Sequence, residues 1–259
     1  MDYDDQTAER LEAVYLGPDV VAQRQDTLRR LKLKPGERVI DIGSGPGFLC
    51  QEMAEIVGPG GHVTGIDLSS AMVRRSKERN SRPWVSFRQG DATALPEEDV
   101  SYDVVVSVQV AEYVPDISCF CSEAYRVLKP GGRGLIIATD WDAIAWHSDD
   151  HERMSRVLQA FKSHCAHSCL PRTLAPHLRE VGFSVTSVAI FPIVNLQWLE
   201  GCYSQKVAPF ITAYVRSQGT LPEDELQAWE VELARLGDEG RYFFSSNRYI
   251  FEIERPAIE

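Results

Sequence analysis

A chain of 259 residues with 44% hydrophobic and 25% charged residues is long enough to bury a full core and has the composition of a globular protein. Its net charge of −11 argues against nucleic acid as the main partner, because phosphate binding needs a basic surface. No apolar run is long enough to span a bilayer, the acidic start Met1-Asp2-Tyr3-Asp4-Asp5 lacks the pattern of a signal peptide, and the six cysteines do not read as a disulfide framework in a chain this long. A reducing, cytoplasmic setting and no membrane insertion are therefore expected.

Residues 7 to 34 read as helical. Leu11, Val14 and Tyr15 share a face, Pro18 resets the chain, and Val20, Val21, Leu28 and Leu31 mark a second helix that Pro35-Gly36 ends. Arg24, Arg29, Arg30, Lys32 and Lys34 form its solvated side. Strands and helices then alternate. Strands are expected at 39–42, 62–67, 84–88, 102–108 and 134–139, and helices at 48–57, from Ser69 or Ser70 to 79, and at 117–128. The fourth run, Tyr102 to Val108, is nearly all apolar, as in a central parallel strand covered on both faces. Residues 141 to 170 are polar, a helix is expected at 173–181, and 183–191 alternates as a strand. Two helices follow at 195–218 and 222–236, and 242–254 alternates again. The expected fold is α/β: a doubly wound, mostly parallel, seven-stranded sheet with N-terminal helices and a helical lid inserted before the last strand. The 259 residues are expected to form one domain, divided into helices (1–34), core (35–140), substrate side and sixth strand (141–194), lid (195–240) and last strand (241–259).

Three stretches carry chemistry. Val39-Ile40-Asp41-Ile42-Gly43-Ser44-Gly45-Pro46-Gly47-Phe48 runs an apolar strand into an acidic residue and a glycine turn, which lets bare backbone approach a nucleotide-like ligand. A dinucleotide fingerprint needs a third glycine where this chain has Phe48, so pyrophosphate cradling is disfavoured. Asp67, twenty positions after Gly47 at the end of the next apolar run, suits a ribose. Gln89-Gly90-Asp91-Ala92 follows the third strand, where a carboxylate and the next backbone N–H read an adenine edge. A nucleoside with a charged tail and no phosphate fits best.

Together these stretches resemble the class I S-adenosylmethionine-dependent methyltransferases, in their small-molecule (quinone and natural-product) branch. The likeness runs from about Val39 to Ile137 and includes Gly65-Ile66-Asp67-Leu68-Ser69, Gly90-Asp91-Ala92, Tyr102-Asp103-Val104-Val105-Val106-Ser107 and Leu128-Lys129-Pro130-Gly131-Gly132 in order. The resemblance implies S-adenosyl-L-methionine as cofactor, with S-adenosyl-L-homocysteine as product. Asp41 and the backbone of Gly43, Ser44, Gly45 and Gly47 would hold the methionine portion. Asp67 would take the ribose, Leu68 and Met72 would pack on adenine, and Asp91 and the Ala92 N–H would bind its edge. Gln109 would sit near the methionine end, and Arg24 would pair with the methionine carboxylate.

The acceptor is harder to read. The segment from Val108 to Asp116 lacks the Asn/Asp-Pro-Pro-aromatic signature of amino-methylating enzymes and suits a small, partly apolar acceptor. Tyr113, Trp141, Trp146, Tyr203 and Arg248 are the candidate substrate contacts, among them lid aromatics. His147 is the candidate base, in a polar loop with Asp140 and Asp142. His147 and His151 sit four apart, and His164, Cys165, His167 and Cys169 cluster, but neither spacing matches a closed zinc site, so no metal is expected. Arsenite methylation is disfavoured because the first cysteine after the fourth strand is Cys119. An NAD-dependent oxidoreductase, a methyltransferase fold with a binding or non-methylating role, and a macromolecular methyltransferase are the competing readings; a homodimer is compatible with all of them.

Overall fold

Alternation along the strands sorts the core into two faces. The computed structural model describes residues 5–257; Met1 to Asp4, most of the acidic start, lie outside the described residues. Strands β1 (Arg38–Ile42), β2 (His62–Asp67), β3 (Val85–Gln89), β4 (Tyr102–Val108) and β5 (Leu128–Thr139) are parallel and lie in the order β3-β2-β1-β4-β5. Val39, Val63, Val104, Val106, Leu135 and Ile137 pack with the helices preceding β1 and following it. Ile40, Ile42, Ile66, Val105 and Ile136 point the other way, onto the helix after β4 and the one before the sixth long strand. Both faces are covered, which is why β4 reads as an unbroken apolar run.

The first two helices are α1 (Asp5–Tyr15) and α2 (Pro18–Leu31), with Pro18 at the first turn, where its missing N–H costs nothing. Helices α3 (Phe48–Val57), α4 (Ser70–Arg79) and α5 (Ile117–Val127) follow β1, β2 and β4. Ser69 caps α4 by accepting from the Met72 N–H, and Asp116 caps α5 by accepting from the Cys119 N–H at 2.9 Å. Glu12 on α1 pairs with Arg75, at 2.7 Å, and with Arg79, both on α4, which fastens the N-terminal helix to the helix that crosses from β2 to β3.

Beyond β5 the chain builds a second layer. A two-residue strand β6 (Ala145–Trp146) precedes α6 (His151–Phe161) and α7 (Leu174–Glu180). Strand β7 (Ser184–Asn195) is followed by α8 (Tyr203–Gln218), α9 (Glu223–Asp238) and β8 (Phe244–Glu254). Strand β8 runs antiparallel, wedged between β5 and β7, and its early residues also pair with β6. Helices α6, α8 and α9 enclose their own apolar core around Trp146, Met154, Phe161, Tyr203, Trp229 and Phe244. The lid is thus a packed unit at the C-terminal end of the parallel strands. Among the described residues no helix is long and apolar enough to cross a membrane.

The element order follows the sequence reading, with three differences. The sheet has an eighth strand, β6, which the reading took as part of a polar loop; it forms because Trp146 lies opposite Phe244 and both bury in the lid core. Strand β5 starts at Leu128 and not at Gly134, because Leu128 pairs with Tyr102 and an irregularity after Tyr102 absorbs the shift in register. Helix α8 starts at Tyr203 and not at 195, because β7 continues along β8 as far as Asn195. Its first N–H groups then need partners, and Asp19 of α2 accepts from the Tyr203 N–H at 2.8 Å and from Asn195 at 3.0 Å.

Trp229 is fully buried, donates to the Met154 sulfur and meets Trp146 edge-on. Replacing Trp229 by Ala is expected to cost about 3–5 kcal/mol, read as a lower urea midpoint in equilibrium unfolding; a loss below about 1 kcal/mol would mean that the lid core does not share the stability of the sheet.

Candidate functional site

The glycine turn is shaped by what crowds it. Gly43 has φ +80°, and a Cβ there would lie 2.1 Å from the Val110 side chain. The segments after β1 and after β4 therefore touch, across the crevice where the strand order reverses and where open α/β sheets bind their ligands. Gly47 has φ +81°, and a Cβ would lie 2.9 Å from Ser76. Neither position tolerates a side chain. Gly45 is different: a Cβ would meet only the Tyr15 ring from α1, at 3.4 Å.

Asp67 ties this turn to the next strand. One carboxylate oxygen accepts from the Gly45 N–H at 2.8 Å and the other from the Ser69 N–H at 2.9 Å. Burial raises its pKa, and the two N–H groups oppose that rise. Beside it Leu68 is 50% exposed, an apolar side chain left open next to a carboxylate. Asp91, at the exit of β3, is exposed and accepts from the N–H and hydroxyl of Thr93, both at 2.8 Å, with Ala92 half-buried next to it. The Ser44 hydroxyl is buried without a hydrogen-bond partner. A two-acceptor carboxylate, an open apolar platform, a second acidic edge and an orphaned hydroxyl on the turn are what an adenosine with an amino-acid tail requires, so the residues present fit S-adenosylmethionine.

Three residues from the sequence reading sit elsewhere. Met72 is 2% exposed and turns into the interior, so the platform is Leu68 alone. Asp41 is buried beneath the turn, where its carboxylate accepts from the Cys50 thiol at 3.3 Å. Arg24 donates to Glu52 at 2.8 Å and to the Tyr15 carbonyl at 3.1 Å, which fastens α2 to α3 and α1. Its guanidinium already has a carboxylate partner.

At the other end of the crevice a polar group converges beneath the lid. Gln109 follows β4 with φ +59°, a strained conformation for a residue with a side chain. Its carbonyl oxygen accepts from the Thr139 hydroxyl at 2.5 Å and from Arg248. Arg248 also donates to Thr139, its direct partner across the β5–β8 ladder, and is 3% exposed. Tyr203 and Trp141 flank the guanidinium, with ring centroids 4.8 Å and 5.9 Å from it. Glu112 is fully buried and accepts from the Thr139 N–H at 3.2 Å. Burial pushes its pKa up to about 7 against the pull of the Thr139 N–H, the Arg248 charge and the Trp141 indole. Trp141 is held in place by its own N–H on the Ser168 carbonyl and by Asp140, which Arg172 grips with two bonds of 2.7 Å and 3.0 Å.

The structure thus brings together Gln109, Trp141, Tyr203 and Arg248 with Asp140, a polar candidate of the sequence reading, and adds Glu112 and Thr139, which that reading did not assign to the site. A signal for Glu112 was present: a lone carboxylate among Val108, Val110, Ala111 and Val114. Tyr113 is half-buried and lies edge-on to His164, 5.7 Å away. His164 stacks on Phe161, donates from Nδ1 to the Phe161 carbonyl at 2.7 Å and lies 4.6 Å from Trp141; burial lowers its pKa to about 4. Trp146 belongs to the lid core, against Trp229 and Phe244. His147, just after β6, lines a surface groove with Trp146, His151, Met154, Leu158 and Phe243. It is not brought to the Gln109–Arg248 group, so this histidine does not join the candidate base to the site.

A family model described as a methyltransferase domain matches residues 33–189. An arsenite methyltransferase of Halobacterium salinarum is 42% identical over 107 residues, 40% of this chain and 27% of that protein. A demethylmenaquinone methyltransferase of Lactobacillus johnsonii is 35% identical over 120 residues, 45% of this chain and 49% of that protein. The matched segments thus span about half the length of these curated relatives, or less. Haemonchus contortus phosphoethanolamine N-methyltransferase 2, solved in complex with S-adenosyl-L-methionine, shares the fold with a TM-score of 0.64 at 20% identity, over 98% of this chain and 58% of that one.

Burial pushes the Asp41 carboxyl up to about 7; the Cys50 thiol opposes the rise and the charge of Asp67 adds to it. A folded-state pKa above the unfolded value favours the fold below about pH 4 and loses that advantage as pH rises through 7. The Asp41→Asn variant is therefore expected to gain melting temperature relative to the unaltered protein between pH 5 and pH 8, with no further gain above. A difference that stays constant across that range would show that Asp41 is ionised throughout.

Proposed function

This chain belongs to the class I methyltransferase family, and we propose that it transfers a methyl group from S-adenosylmethionine to a small, partly apolar molecule by in-line displacement. The observation that carries the cofactor is Asp67, whose carboxylate holds the glycine turn from the end of β2 beside an open Leu68 and across from Asp91. In this reading Asp67 receives the ribose hydroxyls, Leu68 lies under adenine, and Asp91 with the Ala92 N–H reads the adenine edge. The backbone of Gly43, Ser44, Gly45 and Gly47, with the Ser44 hydroxyl, lines the methionine portion. Gln109 stands at the methyl end, and Asp41 and Arg24 support the turn and α3 from behind.

The cofactor supplies a methyl group on a sulfonium that is already a good leaving group. The protein's work is then alignment and exclusion of water. The crevice aligns: Gly43 against Val110 fixes the distance between the cofactor turn and the residue after β4. The lid excludes water: Tyr203 and Trp141 cover Arg248 and Gln109. An acceptor that loses a proton needs a nearby base whose pKa lies near the working pH. Glu112, raised to about 7 beside Trp141, meets that description; His164, lowered to about 4, does not, and His147 lies outside.

The six cysteines are unpaired, which supports a reducing, cytoplasmic setting. Arsenite is the less favoured acceptor: Cys119, the first cysteine after β4, is exposed on α5. An oxidoreductase reading gains nothing from the turn, where Phe48 takes the place of the third glycine and packs with Tyr15 and under the Arg79 guanidinium.

Calorimetric titration with S-adenosylhomocysteine and with NAD separates these readings. S-adenosylhomocysteine is expected to bind and NAD not. The Asp67→Ala variant should lose about 10- to 100-fold in affinity, the worth of charge-assisted hydrogen bonds to the ribose, while remaining folded. NAD binding alone would sink the methyl-transfer reading, and unchanged affinity of the variant would remove Asp67 from the ribose.

A further inference from the structure

The buried arginine under the lid is unbalanced. Arg248 is 3% exposed, and its printed partners, Gln109 and Thr139, are both neutral. Among the described residues no carboxylate lies within ion-pair distance of it. Removing a guanidinium from water is costly, and neutral acceptors recover only part of that cost; a paired anion recovers far more. Glu112 is the nearby acid, but one of its oxygens accepts from the Thr139 N–H, the other makes no bond to Arg248, and burial raises its pKa, which favours the uncharged form. The site therefore carries positive charge that the protein itself does not neutralise.

The hydrogen-bonding atoms around Arg248 point the same way. The Gln109 carbonyl is occupied by Arg248 and Thr139, and its amide nitrogen is buried without a partner. Arg248 Nε is likewise buried and unpartnered, whereas the Trp141 indole acts on the Glu112 carboxyl. Ser246, two residues along the same face of β8, has an orphaned buried hydroxyl. Buried polar atoms in native proteins are nearly always satisfied, so a group of orphans on one wall marks a missing partner. Two of these atoms, Gln109 Nε2 and Arg248 Nε, can only donate, and donors beside a cation select an acceptor of hydrogen bonds that carries negative charge. The Tyr203 and Trp141 rings on either side of the guanidinium supply apolar walls for a flat body.

We propose that Arg248, with the Gln109 amide, binds an oxyanion of the acceptor, which is therefore a small acid with a flat apolar body. This narrows the methyl-transfer reading and rests on it only for the statement that the bound acid is the acceptor. Arg248 acts as a binding residue for the anion, and the atom to be methylated lies elsewhere on the molecule or is the anion itself.

Matched probes test the charge without requiring any variant to fold. The full chain loaded with S-adenosylhomocysteine is titrated with benzoate, phenyl phosphate and benzamide, which share the flat ring and differ in the anion. At least one of the two acids is expected to bind about tenfold or more tighter than benzamide, as charge-assisted bonds to a buried arginine require. Which acid leads tells a carboxylate from a phosphate. The Arg248→Met variant is expected to lose the preference for acid over amide while its affinity for S-adenosylhomocysteine stays within about twofold. Benzamide binding as tightly as both acids, or no acid binding at millimolar concentration to the loaded protein, overturns the proposal, as does an acid preference that survives in Arg248→Met. If S-adenosylhomocysteine fails to bind, the methyl-transfer reading falls, and the preference for acid is read on the ligand-free protein.

Discussion

The bond between the Asp67 carboxylate and the Gly45 N–H is the constraint on which the site is built. It joins the end of β2 to the turn that leaves β1, and the second oxygen starts the path into α4 through Ser69. Backbone bonds from Gly43 and Ser44 to the Ile66 carbonyl hold the start of the turn, and the Asp67 bond fixes its middle at Gly45. The same carboxylate is placed where a ribose would compete for it. Structural and binding demands therefore fall on one group, and the modest burial that raises its pKa is the cost of serving both.

The direction of β8 supplies the other half. A parallel strand beside β5 would carry its chain away from the lid. The antiparallel strand starts in the lid core at Phe244, crosses the site, and sets Arg248 opposite Thr139. That register places a residue far along the chain against one that ends β5, and both against Gln109. A cation is delivered to the end of the sheet by a strand whose remaining inward residues, Ile250 and Phe251 among them, are ordinary core. The lid and the sheet share this strand, so the walls around Arg248 are fixed by the same pairing that holds the sheet together.

Much of the cofactor end was legible in the sequence because its signals are local. A glycine turn, a strand-terminal Asp67 and a strand-terminal Asp91 each sit within a few residues of a strong periodic element, and the α/β order follows from the alternation of those elements. What was not legible depends on register and side-chain direction. Met72 and Leu68 both lie near the adenine position in the sequence, yet the start of α4 turns one inward and leaves the other open. His147 looked suited to catalysis in a polar loop, but it follows β6 and lines a surface groove with His151 and Phe243. Glu112 looked like one residue of a turn, and only the packing of Thr139 and Arg248 around it shows that it is buried. Arg24 illustrates a third case, in which the competing partner, Glu52, lies on a different helix and no spacing rule announces it.

Helix α2 ends one chain of contacts and begins another. Arg24 holds α3 and the carbonyl of Tyr15, whose ring stands over Gly45, while Asp19, on the first turn of the same helix, caps α8 at Tyr203. Tyr203 in turn leans on Arg248. The covers over the two ends of the crevice are therefore mounted on one rigid rod. A displacement that frees the glycine turn also uncaps the lid, so the two ligands of a bisubstrate reaction would share a single opening event, and their order of arrival and departure would be set by which one lies deeper under α2.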